Sequence, residues 1–443
     1  MKPLNRAHTS HHFQLLAIAA PMILSNISVP LLGLVDTAVI GHLSDAYYLA
    51  GIALGSGSIA LLFWLASFLR MSTTGEIAQA YGQQDSGRAL QSLSASMSFA
   101  LAFSLLLIVC TPWLLELIAV LSGATSQVLN QAEVYFSIRI YSAPAAMLNL
   151  VMLGFMLGMQ YGRGPFYVVL FTNIVNIVLD VLFVVVLGFA VAGAAWASVI
   201  ADYSALVLSC CLLRKVLNDA GWQWQIKVPH RQEVQRLLHL NRDIFIRSLM
   251  LQLCFSFMTF YGARLGEDIL AANAVLLNFL MLVSFAMDGI AYAVEAKVGQ
   301  AKGARDLSML RRWVRISCLW ASCFALLYTG MFALFGPYVI GLLTDIPAVI
   351  DTAQIYLPWL IVLPLIATSC FLFDGVFVGL TRAKEMRNSM LLSAVLGFFV
   401  PFWLVQHWGN HGLWFAMSCF MAVRGLTLIL KYRLLSVRQQ LLE

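Results

Sequence analysis

Charge is what this chain has least of. Of 443 residues only 11% are Asp, Glu, Lys or Arg, less than half the ~25% usual in a soluble globular domain. That scarcity excludes a cytosolic enzyme, a disordered chain and a nucleic-acid binder built on a charged surface. The common signatures of chemistry are missing too. There is no G-x-x-x-x-G-K-[ST] phosphate loop, so no intrinsic ATPase is expected. Neither H-E-x-x-H nor G-x-S-x-G occurs, so no protease or hydrolase is recognisable, and no TVGYG-type filter marks a potassium channel. The eight cysteines all lie inside apolar runs, with no C-x-x-C or C-x-x-C-H spacing. They read as small packing residues rather than disulfides, metal ligands or haem attachment points. His8, His11 and His12 sit close together in a short polar N-terminal stretch, which reads as a solvated end rather than a metal site. No enzyme activity, cofactor or metal is expected.

What is abundant is apolar surface. Hydrophobic residues make up 61% of the chain, and the mean hydropathy is +0.84. A membrane-spanning helix takes about 20 apolar residues, so twelve need roughly 240 to 290. Apolar runs fall at about 13–40, 47–74, 90–119, 133–159, 166–188 and 192–213, and after a polar stretch at about 242–264, 269–296, 314–342, 353–381, 389–408 and 412–432. The fold class expected is an all-α polytopic membrane protein of twelve spans. Its parts are an N-terminal six-helix lobe (1–213), a linker (214–241) and a C-terminal six-helix lobe (242–443). The linker, with Trp222, Trp224 and Pro229, reads equally as an interfacial amphipathic segment or a plain connector. The first run lacks a small-residue cleavage site and is expected to be retained.

The cations orient the spans. With both termini in the cytoplasm, 24 of the 27 Lys and Arg fall on the cytoplasmic side, leaving Arg70, Arg139 and Arg264. This asymmetry follows the positive-inside rule. The net charge of +6 therefore reports orientation rather than an anionic partner. Asp45, Glu267, Asp268, Asp345 and Asp351 mark the other face.

The two halves repeat. Gly154-x3-Gly158 returns as Gly375-x3-Gly379, and Leu49–Leu54 resembles Leu270–Val275, both 221 residues on. Gly82-Gln83 matches Gly299-Gln300 at 217. Six spans per half is an even number, so both halves point the same way: a parallel repeat, as in some secondary transporters.

Ionisable groups inside spans are costly and suggest function. In the N-terminal lobe these are Asp36 in span 1, Asp180 in span 5 and Asp202 in span 6. At ~1.5 Å per residue they lie ~6, ~12 and ~15 Å from the outer face and could converge. Asn173, Asn176 and Asp180 are spaced i, i+3, i+7 and share one helix face. Facing lipid, that stripe would be severely penalised. Facing inward, it is a hydrogen-bonding wall for a proton or small cation, to which Ser198 could add an oxygen. The competing reading is structural glue between helices. Pro21 and Pro30 each free a carbonyl in span 1, giving either a switchable bend or a fixed kink. In the C-terminal lobe, Asp374 lies among Phe371, Phe373 and Phe377, and Asp288 beside Phe285 and Met287. Such a setting suits an amphipathic cation. Arg139 either pairs with an intramembrane acid or snorkels outward.

Taken together, Pro21 to Asp36, the Gly82-Gln83 and Gly299-Gln300 pair, and Asn176 with Asp180 resemble the MATE (multidrug and toxic compound extrusion) transporters. Leu372 to Gly379 and Gly193 to Trp196 are similar to the DinF branch of that family. The resemblance implies two six-helix bundles in a V and alternating access. It implies antiport of small amphipathic, often cationic organic compounds against a proton, across a bacterial inner membrane. Its coupling residues correspond to Asp36, Asn176 and Asp180, and its span 1 proline to Pro21. Some relatives hold sodium through an acid in span 7. Here span 7 has only Asp243, at its start, so protons are favoured over sodium. The bilayer and the substrate are the expected partners, with no nucleic acid, and a monomer is expected. The alternatives are a major-facilitator transporter, whose loop 2–3 is more basic than the single Arg88, and a lipid-precursor flippase.

Overall fold

In lipid a backbone must satisfy its own hydrogen bonds, and a helix does so within one segment. The structure, a computed structural model, describes residues 10–40, 46–223 and 231–442, the side chains of 29–40 and 46 excepted. Sixteen α-helices run through the described residues. The first six are α1 (His11–Ile40), α2 (Ala46–Leu65), α3 (Phe68–Gln83), α4 (Ser86–Val109), α5 (Thr111–Ser122) and α6 (Ser126–Arg139). Then come α7 (Ala143–Gly158), α8 (Arg163–Asp180), α9 (Ala190–Asp219), α10 (Arg231–Leu265) and α11 (Glu267–Gly303). The last are α12 (Leu307–Leu343), α13 (Pro347–Gly379), α14 (Ala383–Leu392), α15 (Val400–Val405) and α16 (Asn410–Val437).

Beyond α1, eleven stretches are long and apolar enough to cross a membrane, and with α1 they match the twelve runs. Several are assembled from more than one helix. A tight turn at Ala66 and Ser67 joins α2 to α3 in one span. A 3-10 turn, Ile140–Ser142, joins α6 to α7. Wider π turns follow α8 at Val181–Val186 and α14 at Ser393–Phe399. The run 90–119, read from sequence as one helix, breaks at Cys110. Pro112 starts α5 at the helix position where a missing N–H costs nothing. Of the expected linker, 214–219 extends α9 and 231–241 opens α10. Trp224, Lys227 and Pro229 lie outside the described residues.

Contacts divide the chain into two compact units. Among the described residues, one gathers those of 24–237, and the other gathers 238–442 with 10–23. The division differs from the boundaries read off the sequence, because the first half of α1 packs with the second unit. His11 tilts against Trp313 with ring centres 5.2 Å apart, and Gly289 leaves room for Ile23.

The internal repeat is written in the backbone. A left-handed residue ends α3 at Gln84 (φ 58°) and follows α11 at Arg305 (φ 56°), 221 residues on. The next residues, Asp85 and Asp306, both cap the following helix, accepting from Arg88 N and Met309 N at 2.9 Å. Gln160 (φ 62°) and Thr381 (φ 52°) form a second pair at the same offset. The paired glycines have one job in each unit. A β-carbon at Gly154 would stand 2.6 Å from the carbonyl oxygen of Arg70, so α7 lies directly on α3. At Gly375 it would stand 2.7 Å from that of Ala291, and at Gly379 2.6 Å from that of Glu295, so α13 lies on α11. Small residues let helix backbones approach where lipid supplies no hydrophobic drive.

Candidate functional site

The polar stripe of α8 faces the interior of the first unit. Asn173, Asn176 and Asp180 are all buried. Asn176 Nδ2 donates to Asp180 Oδ2 at 2.8 Å and reaches Ser198 Oγ on α9 at 3.5 Å. Asn173 Nδ2 donates to Ser28 Oγ at 3.1 Å and to its carbonyl at 3.4 Å. One stripe thus links α1, α8 and α9, and the π turn begins at the residue after Asp180. Ser28 was not singled out from the sequence. Helical spacing places residues on a face, but it does not say which neighbouring helix they meet. The side chains of Asp36 and Pro30 lie outside the described residues. α1 runs through Pro21 and Pro30 as one continuous helix.

Asp202 stands in a different network. Arg139 Nη1 donates to Asp202 Oδ2 at 2.6 Å and also to Ser142 Oγ. The guanidinium lies 5.4 Å from the ring centre of Phe63. Asn149 Nδ2 donates to the Asp202 carbonyl at 3.1 Å, and Ser209 Oγ donates to Asn149 Oδ1 at 2.9 Å. Of the two readings for Arg139, pairing with an intramembrane acid is the one found. Asp202 and Asp180, expected to converge, each hold their own partners.

In the second unit Asp374 is buried between two cations. Arg247 Nη1 donates to its Oδ2 at 2.8 Å, and Arg424 Nη2 donates to the same oxygen. Arg424 lies over Phe371, and Asp288 stands half-buried on α11. Phe377 is fully buried, and Phe373 packs edge-on against Tyr432 at 5.5 Å. Asp374 therefore does not present a bare carboxylate to an incoming cation. Counting Arg247 and Arg424 with the cytoplasmic cations hid this. Both fall inside apolar runs, which was the signal available.

A second group escaped the sequence reading. Asn273 and Asn410 exchange amide hydrogen bonds at 2.7 and 2.9 Å, and Trp414 Nε1 donates to Asn273 Oδ1 at 2.9 Å. At a boundary, buried Glu76 meets Arg236 at 2.8 Å and Arg88 at 3.2 Å. Among the described residues no group of three His, Cys, Asp or Glu could hold a metal ion.

The MatE family model matches residues 21–182 and 244–403. Over 426 residues the chain is 46% identical to the DNA damage-inducible protein F of Escherichia coli, covering 96% of this chain and 93% of that one. It is 27% identical over 439 residues to a probable multidrug resistance protein NorM of Deinococcus radiodurans, covering 94% and 93%. Among solved structures, an outward-facing multidrug resistance MATE family transporter superposes with a TM-score of 0.87 at 20% identity, over 96% of this chain and 95% of the other.

Proposed function

Since the chain belongs to the MatE family of multidrug efflux transporters, we propose that it is a proton-coupled antiporter for amphipathic, often cationic organic compounds. The observation that carries this reading is the buried Asn173–Asn176–Asp180 stripe and its bonds to α1 and α9. A carboxylate that accepts from an amide makes a charge-assisted bond, roughly twice as strong as a neutral one. Protonating Asp180 weakens its bond to Asn176. Asn173 shares the α8 face and holds Ser28 of α1, so the change reaches the helix that carries Pro21, Pro30 and Asp36. Protonation of Asp36 belongs to the same step.

The driving force suffices. One proton crossing with ~150 mV supplies ~3.5 kcal/mol, enough for a few-hundred-fold gradient of a neutral exchanged substrate. Protons are favoured over sodium, because the acid of the second unit already holds two guanidinium groups. The protein works in the bacterial inner membrane as a monomer with both termini in the cytoplasm. Membership of the family removes the major-facilitator alternative.

The test is dye efflux from reconstituted vesicles under an imposed pH gradient or an imposed sodium gradient. Wild type should respond to pH alone, and Asp36→Asn and Asp180→Asn should each abolish efflux without loss of folded protein. Efflux driven equally by sodium, or unchanged in both variants, would sink the coupling assignment. A second reading, export of anionic amphiphiles, is favoured by the buried Arg247 and Arg424. An anionic dye in the same vesicles separates the two.

A further inference from the structure

Several cations at the ends of the spans have partners within the chain. Arg88 and Arg236 hold Glu76, Arg242 and Arg387 hold Asp243, and Arg382 holds Glu385. Lys302 donates to the Leu380 carbonyl, and Lys297 lies over Trp313. One group differs. Arg311, Arg312 and Arg315 on α12, with Lys431, Arg433 and Arg438 on α16, are all exposed. None of the six pairs with a carboxylate among the described residues. The acid nearest along the chain, Asp306, is turned to its own helix, accepting from Met309 N and Ser308 Oγ.

These cations belong to one patch. Arg311 Nη2 donates to Ser436 Oγ at 3.1 Å, which brings the start of α12 to the end of α16. Helical spacing continues each cationic end into an apolar stripe. On α12, Arg311, Arg315 and Leu319 are spaced i, i+4, i+8, with Leu326 a further seven residues on. On α16, Leu426, Leu430, Arg433 and Val437 share a face. The apolar residues of these stripes are well exposed too: Leu319 54%, Leu326 64%, Leu426 57% and Leu430 56%. Two helices that meet at this end thus offer unpaired positive charge there and exposed hydrocarbon beyond it. That is the mirror of a phospholipid, with anionic headgroup and acyl chains.

We propose that the α12–α16 end is a binding site for an anionic phospholipid, its phosphate held by Arg311, Arg315 and Arg433 and its acyl chains lying along Leu319 and Leu430. The charge complementarity commits the site to a lipid rather than a soluble anion, because the exposed leucines have no role toward a free ion. Basic clusters at the bilayer surface gain from anionic headgroups in this way.

The experiment is native mass spectrometry of the detergent-purified protein. The probes are dioleoyl phosphatidylglycerol, phosphatidylcholine with the same acyl chains, and inorganic phosphate. Wild type should retain phosphatidylglycerol over phosphatidylcholine. Each cation removed should weaken that retention about five-fold, so R311Q/R315Q/R433Q should lose it on the order of 100-fold. R311K/R315K/R433K, which keeps the charge, should retain it. A control with the same charge change elsewhere, R163Q/R214Q/K215Q, should bind like wild type. Equal losses in the two Gln triples would overturn the proposal, as would equal retention of both lipids. Full displacement of lipid by inorganic phosphate would make this a free-phosphate site and overturn it too. If the Gln triple does not purify as a monodisperse protein, R315Q and R433Q singly carry the test, and wild-type retention in both would refute it.

Discussion

Replacing Gly375 with alanine tests the helix seam directly. The added β-carbon would stand 2.7 Å from the Ala291 carbonyl oxygen, 2.8 Å from Val294 Cγ1 and 3.0 Å from Ala291 Cα. Ordinary contact begins at 3.4 Å. Two of the three atoms are backbone and cannot rotate away, so α13 and α11 must part by roughly 0.7 Å at that point, and overpacking of this kind costs about 1–3 kcal/mol. Against it stands the better helix propensity of alanine, up to about 1 kcal/mol. The net effect is a loss of about 1–2 kcal/mol. Gly330, in the interior of α12, has nothing within 4 Å of an added β-carbon. There only the propensity gain remains, so Gly330→Ala should be neutral or slightly stabilising. Unfolding of the purified protein in an SDS titration, followed by tryptophan fluorescence, measures both. A Gly375→Ala variant at least as stable as Gly330→Ala would refute the seam. Gly154→Ala and Gly57→Ala repeat the comparison in the first unit, where the gaps are 2.6 Å and open space.

Asn410→Ala leaves the buried Asn273 Nδ2 without its acceptor, while Trp414 Nε1 still donates to Asn273 Oδ1. It should cost about 1–2 kcal/mol in the same titration, between the modest value of interhelical hydrogen bonds in membranes and the cost of a buried unsatisfied group. Asn273→Leu with Asn410→Leu and Trp414→Phe, which removes every member of the group, should recover part of that loss, and a triple variant worse than the single one would contradict the account. Asp306→Ala should lose about 1 kcal/mol as a missing helix cap, whereas Asp306→Asn keeps the cap. The Met309 N–H and the Ser308 hydroxyl hold the Asp306 carboxyl below its ordinary range. Its stabilisation is therefore full above that range and lost as pH falls through the lowered folded value. Asp306→Asn should flatten this dependence, and an unchanged acid profile would count against it.

The spans were legible because apolar length alone decides them. The repeat was legible through Gly154, Gly158, Gly375 and Gly379, whose spacing puts small residues on one face. The inward direction of the α8 stripe followed from the penalty of turning two amides and an acid to lipid. Other features depend on which helices meet, and no local pattern carries that. Asp202 finds Arg139 63 residues away, and Asn273 finds Asn410 137 residues away. Arg247 and Arg424 were misread for a different reason. A positive-inside count treats every cation near a span end as solvated, and it cannot see a buried acid 127 or 50 residues distant that draws them in.

A π turn holds one residue more than an α-helix needs to advance the same turn. In the turn after Asp180, Leu187 N reaches back five residues to the Leu182 carbonyl. A span built this way has a place where a single residue can be deleted without moving everything beyond it to the wrong face. Shortening α8 itself by one residue would rotate the Asn–Asn–Asp stripe relative to the loop that precedes α9, but shortening within 181–186 would restore a plain helix and leave the stripe where it is. The second unit carries the same allowance at Ser393–Phe399. In the first half that span bears the Asn173–Asn176–Asp180 stripe, and in the second half it is the corresponding span.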